Sequence, residues 1–169
     1  ARMAVQSAMT GHLVFSTLHT NDAAGAVARL LDLGIEPYLV AGSVIGVMAQ
    51  RLIRRICPHC GCRRKITEDE RLRLGSNDDE GRVDIAEGRG CSECLETGYF
   101  ERGGIFELLE VDGAVRSLIL ERADSRLIKE AGIASGMRTL RQDAIDRLFA
   151  QRTTVDEVLR VTHGDGNGT

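Results

Sequence analysis

Two short cysteine pairs, Cys57-Pro-His-Cys60 and Cys91-Ser-Glu-Cys94, constrain this chain more than any other feature of it. Two residues between cysteines let a tight turn aim both sulfurs at one point. Two such hooks supply the four thiolates of a tetrahedral structural zinc shell, at about 2.3 Å per bond. Turn formers follow each hook: Gly61 after the first, Thr97-Gly98 after the second. The spacer between the hooks is 30 residues, longer than the roughly 15–20 of common paired-hook sites. Loop-closure cost grows only with the logarithm of length, so the longer spacer is tolerable.

Other uses of the cysteines fit less well. The opening residues lack the apolar core of a signal peptide, which weighs against disulfides. A redox C-x-x-C needs a thioredoxin-like context, and none is legible here. Iron would be held by the same four sulfurs, so it stays open beside zinc. A closed four-sulfur shell leaves no open coordination position, so no catalysis is expected at the metal. Cys62 is left over and is read as a free thiol near the site, because a C-x-C hook is more strained. His59, inside the first hook, is read as facing solvent.

Composition divides the chain into successive regions: 1–56, apolar and poor in charge; 57–107, polar, glycine-rich and holding all five cysteines; 108–162, helical; and 163–169, a polar tail expected to be disordered. A hydrophobic content of 43% suffices for one ordinary core or a few small ones. Net charge is −3, and no clustered basic face marks a nucleic-acid binder. Arg51, Arg54 and Arg55 read as a solvated helix or strand edge. The longest apolar stretch, Tyr38 to Ala49, is well short of the ~20 residues of a transmembrane helix.

Residues 1–9 read as an amphipathic helix with no cap before it, from which an N-terminal truncation is expected. His12 to Leu18 has the residue types of a short buried strand. Asn21 is placed to cap a helix running to about Leu33; Gly34 then stops it, and Pro37 starts another that runs to about Ala49. Gln50 to Ile56 suits a strand or the helix end. Thr67 and Glu70 form a capping box, Asp78 to Glu80 mark an exposed loop, and Ile105 to Val111 reads as a strand. Thr139 with Gln142, and Thr154 with Glu157, are further capping boxes. Helix, strand, helix, helix is half of an α/β domain.

His12 and His19 bracket the apolar run. In an α/β sheet the C-terminal ends of strands face the ligand crevice, and a helix N-terminus there favours anions. An imidazole at that place can donate to a phosphate oxygen. From chemistry alone, satisfied structural histidines at strand ends are the commoner case.

Longer segments carry a resemblance. Thr10 to Val40 (TGHLVFSTLHTNDAAGAVARLLDLGIEPYLV), Ala49 to Cys60 (AQRLIRRICPHC), Gly90 to Tyr99 (GCSECLETGY) and Gly136 to Val161 (GMRTLRQDAIDRLFAQRTTVDEVLRV) resemble the ATPases of type II secretion and type IV pilus assembly. GMRTLRQDA and TTVDEVLRV favour the type II secretion members. The resemblance implies the C-terminal part of a RecA-like P-loop ATPase domain, with a four-cysteine zinc subdomain and a C-terminal helical subdomain. It implies a homo-hexamer on the cytoplasmic face of the inner membrane, bound to platform proteins there. His12 and His19 would be the family's phosphate-sensing histidines, and Cys57, Cys60, Cys91 and Cys94 its metal ligands. The family's G-x-x-x-x-G-K-[ST] loop does not occur in the 169 residues. ATP and Mg²⁺ are therefore expected only in a complete protein, and this chain alone is expected to be inactive. The competing expectation is a zinc-stabilised docking module without chemistry.

Overall fold

A computed structural model of the chain describes residues 2–75 and 84–163. Within them the elements are α1 (Arg2–Met9), α2 (Ala23–Asp32), α3 (Pro37–Ser43), β1 (Gly46–Ile56), β2 (Gly61–Lys65), α4 (Glu68–Leu74), β3 (Asp84–Gly88), a 3₁₀ turn (Ser92–Cys94), β4 (Tyr99–Glu110), α5 (Gly113–Leu120), α6 (Ser125–Ala134), α7 (Leu140–Phe149) and α8 (Val155–Val161). β1 pairs with β4, and β2 with β3. This is an α/β chain. It divides into two compact units, one of Ala1–Ala49 with Phe106–Thr139, the other of Gln50–Ile105 with Leu140–Thr169. Each unit therefore combines two separated stretches of sequence.

The first unit is built on short helices. Asp22 opens α2 by accepting from the Gly25 N–H at 2.8 Å. The cap is thus Asp22 and not Asn21, one residue earlier. Its carboxylate also adds charge at the positive end of the helix dipole and pairs with Lys129 at 3.1 Å. Gly34, at φ +75°, follows the helix end. Pro37 sits in the first turn of α3, but that helix stops at Ser43 rather than near Ala49. The residues that follow, Val44-Ile45-Gly46-Val47, are β-branched or glycine and favour the extended chain that becomes β1. Ala24, Val27, Val40, Leu109, Val115, Ile119 and Ile128 form the core of this unit. Glu107 is wholly buried in β4 and accepts from the Ala23 N–H at 2.9 Å, satisfying one of the open donors at the start of α2.

The expected strand over His12 to Leu18 does not form. The segment has no regular structure, and Leu13 and Phe15 are 71% and 89% exposed. An apolar run becomes a strand only beside a partner that takes its backbone hydrogen bonds, and no described strand lies alongside this one.

In the second unit, β2 and β3 run antiparallel, with Cys62 opposite Glu87 and Arg64 opposite Ile85. Thr67 and Glu70 close the capping box of α4. The Arg141 guanidinium then donates to the Leu74 carbonyl at 2.9 Å and the Arg73 carbonyl at 3.0 Å, covering open acceptors at the end of that helix. Leu140, Ala144 and Leu148 of α7 and Val155, Val158 and Val161 of α8 are buried. Thr154 caps α8, but Glu157 does not return to complete a box. Its carboxylate is wholly buried and receives the Arg54 N–H at 2.8 Å, the Arg54 Nε at 2.9 Å and Arg160 at 2.6 Å. Two guanidinium groups outbid one backbone amide for a buried carboxylate. The acidic loop expected at 78–80 and residues 164–169 of the tail lie outside the described residues.

Candidate metal centre

The first hook leaves the end of β1. Cys57 donates its N–H to the Gly98 carbonyl at 3.0 Å, and a turn returns the chain so that the Gly61 N–H reaches the Cys57 carbonyl at 2.9 Å. The second hook is the 3₁₀ turn. The Cys94 N–H donates to the Cys91 carbonyl at 3.2 Å, and Leu95 and Glu96 follow at positive φ. Gly98, at φ +74°, ends the loop. A Cβ there would drive into the Gly88 carbonyl, and a Cβ on Gly88 would meet Gly98. Two glycine backbones thus cross in contact, which brings the second hook onto the β2–β3 ribbon.

These turns bring Cys57, Cys60, Cys91 and Cys94 together, with all four sulfurs within 4.8 Å of one another. The Sγ separations are 3.9 Å for Cys57–Cys91, 3.8 Å for Cys60–Cys94 and 3.7 Å for Cys91–Cys94. A disulfide needs about 2.05 Å. The edge of a sulfur tetrahedron drawn at 2.3 Å around a zinc ion is about 3.8 Å. The cluster therefore has the size of a closed four-thiolate metal shell and can hold such an ion.

Backbone amides serve the same sulfurs. Cys94 Sγ accepts from the Gly98 N–H at 3.3 Å and the Cys91 N–H at 3.3 Å. Burial opposes charge on Cys94, but these amides and the adjoining Cys91 and Cys60 thiols prevail and bring it down to about 6. Burial instead pushes Cys60 up to about 12, helped by its cysteine neighbours and opposed by the Gly90 N–H. A divalent ion among the four sulfurs would favour the thiolate form of each. His59 is exposed and, like Cys62 on β2, stands outside the four-sulfur cluster.

The histidines are elsewhere. His12 is exposed after α1, with Nδ1 3.2 Å from both the Thr10 hydroxyl and the Ser7 carbonyl. His19 is exposed three residues before Asp22. Neither joins the cysteine cluster. Sequence reasoning missed Tyr99 and Arg54. Tyr99 hydroxyl lies 2.7 Å from Thr154 Oγ1, and the Arg54 guanidinium stacks 4.1 Å from the Tyr99 ring centroid. Arg51 donates to the Val161 carbonyl, and Arg55 pairs with Glu101 at 3.2 Å. The three arginines read as a solvated edge are thus all engaged within the second unit. No local signal pairs positions 46, 55 or 110 residues apart, as these are.

Fold and cluster together define an α/β protein with a four-cysteine cluster of a size to hold a metal ion. The chain belongs to the Type II/IV secretion system protein family, which it matches over residues 1–160. It is 46% identical to Type II secretion system protein E of Aeromonas hydrophila, an alignment covering 98% of this chain and 32% of that protein. It is 43% identical to Type II secretion system protein HxcR of Pseudomonas aeruginosa, over 96% of this chain and 31% of the relative. It is 42% identical to the type IV pilus assembly ATPase PilB of Thermus thermophilus, over 96% and 18%. The pilus retraction motor PilT, solved with bound ADP, shares the fold at a TM-score of 0.60 and 21% identity, covering 95% of this chain and 35% of that one. The chain spans about a third of the length of the type II secretion relatives it matches.

Proposed function

We propose that this chain is the C-terminal part of a RecA-like secretion ATPase that couples ATP hydrolysis to type II protein secretion through pseudopilus assembly. The observation that carries this reading is the family match, continuous through residue 160 and including both cysteine hooks. In the complete protein, ATP and Mg²⁺ would be held by the phosphate loop and acidic groups that these 169 residues lack. His12 and His19 would reach the terminal phosphate. The active form would be a homo-hexamer at the cytoplasmic face of the inner membrane, in contact with platform proteins. By itself, this chain would neither bind nor hydrolyse ATP.

Residues 57–107 would act as the zinc-binding subdomain, with Cys57, Cys60, Cys91 and Cys94 holding the ion. The bound ion would supply charge neutralisation and a rigid cross-link, in a region too small to make a substantial core. The chain's own part is to set the four sulfurs and to direct the Gly98 and Cys91 amides at Cys94. The same segments resemble a type IV pilus assembly ATPase almost as well, so pilus assembly is the second reading. A docking module without catalysis is a third, and the test separates it from both.

In the complete protein, His12→Ala and His19→Ala are expected to lower ATP turnover by about 100-fold, the scale for a lost donor to developing charge. Zinc content and hexamer formation should be unchanged. Unaltered turnover in both variants would reject the phosphate-sensing role. No turnover in the wild-type complete protein would favour the docking module.

A further inference from the structure

Gly98 touches both hooks at once. Its carbonyl accepts from Cys57 of the first hook at 3.0 Å, and its N–H donates to Cys94 Sγ of the second at 3.3 Å. The next residue, Tyr99, faces the other way. Its hydroxyl bonds Thr154 Oγ1 at 2.7 Å, and its ring carries the Arg54 guanidinium. Thr154 caps α8 through the Glu157 N–H at 3.3 Å, while Arg54 holds the buried Glu157 carboxylate. Tyr99, Thr154, Glu157 and Arg54 therefore form a closed circuit, one chain bond from a residue that contacts two of the four sulfur-bearing residues. A cleft of about 180 Å³ beside this contact is lined by Arg64, Glu70, Glu87, Tyr99 and Thr154.

We propose that Tyr99 is a positioning residue that couples metal occupancy of the four-cysteine centre to the seating of α8. An ion that ties the Cys57 and Cys94 sulfurs together fixes the two hooks relative to each other, and so fixes Gly98, which bonds one residue of each, and with it the Tyr99 hydroxyl. Coupling between two sites is reciprocal: whatever loosens α8 loosens the ion by the same factor. This rests on the metal reading of the four cysteines.

The test uses the zinc-loaded full chain, with zinc release to a chelating dye and amide exchange over residues 155–161 as its two readouts. Zinc content of the wild type is measured first. Tyr99→Phe keeps the ring under Arg54 and removes the hydroxyl; Thr154→Ala removes its partner; Thr154→Ser retains it. Tyr99→Phe and Thr154→Ala should each speed zinc release by about tenfold and raise exchange in α8 similarly, within the usual range of coupling between sites. The double variant should go no further than either single one, and Thr154→Ser should behave as wild type. A role confined to capping α8 would raise exchange in Thr154→Ala while zinc release stayed unchanged, and that result overturns the proposal. If Tyr99→Phe does not fold, the Thr154 pair decides alone. A wild-type chain without zinc would instead reject the metal reading itself.

Discussion

At the residue scale, Glu157 is the most consequential side chain that the sequence disguised. T-x-x-E before an apolar run reads as a capping box, and the threonine does cap. The glutamate's true partners, Arg54 and Arg160, stand 103 and 3 residues away. Burial works against its charge, but Arg160 and Arg54 outweigh burial and hold the carboxyl down at about 2. Arg54→Ala is expected to destabilise the chain by about 1.5–3 kcal/mol, the scale of a lost hydrogen bond to a charged group, because Arg160 still pairs with the buried carboxylate. Arg160→Ala removes a more exposed partner and should lose only about 1 kcal/mol. Urea melts of the two variants check the order. The sign of the pH effect follows from a depressed folded value. Stabilisation is complete above the ordinary glutamate range near 4.5 and is lost as pH falls toward 2. Glu70, held at about 2 first by Arg64 and then by Thr67 against burial, loses its contribution over the same window. Glu157→Gln should therefore flatten the wild-type fall in stability between about pH 4.5 and 2, measured by urea melts at each pH.

At the scale of elements, the readable signals were local ones. Thr67 with Glu70, Pro37 and Gly34 each act within a turn or two of themselves, and the corresponding elements form. The hooks are local too, and each prepares two sulfurs within four residues. Two expectations failed for different reasons, one for want of a neighbour and one for a local cause. His12 to Leu18 has strand composition without a strand beside it, and the apolar run after Pro37 gives way to β1 because its β-branched end prefers the extended form. Thr67→Ala should lower stability by about 1 kcal/mol, with exchange in α4 rising more than in α7. Gly98→Ala should be far more harmful than any nearby substitution. It combines a left-handed backbone with a blocked crossing against Gly88, and the shift this forces displaces the N–H that Cys94 Sγ accepts. The expected result is less than half the wild-type zinc content by elemental analysis.

At the scale of the whole molecule, the cysteine tetrad was legible because each half is a short motif, and the interleaving of two compact units was not. Consecutive regions were read at 1–56, 57–107 and 108–162, whereas each compact unit draws on two stretches of chain. Hydrophobic periodicity reports that a face is buried; it does not report against what. Chelation of bound zinc should abolish the cooperative melt of the unit containing Gln50–Ile105 and Leu140–Thr169, read by circular dichroism. The interleaving also sets an order of events during synthesis. The fourth thiol, Cys94, precedes the end of α8 at Val161 by 67 residues. At about 5–20 residues per second, that interval is roughly 3–13 s. For those seconds the thiols exist without the helix that completes their unit. An ion held by the four sulfurs would thus meet its ligands on a nascent, incompletely packed chain, before α8 is made.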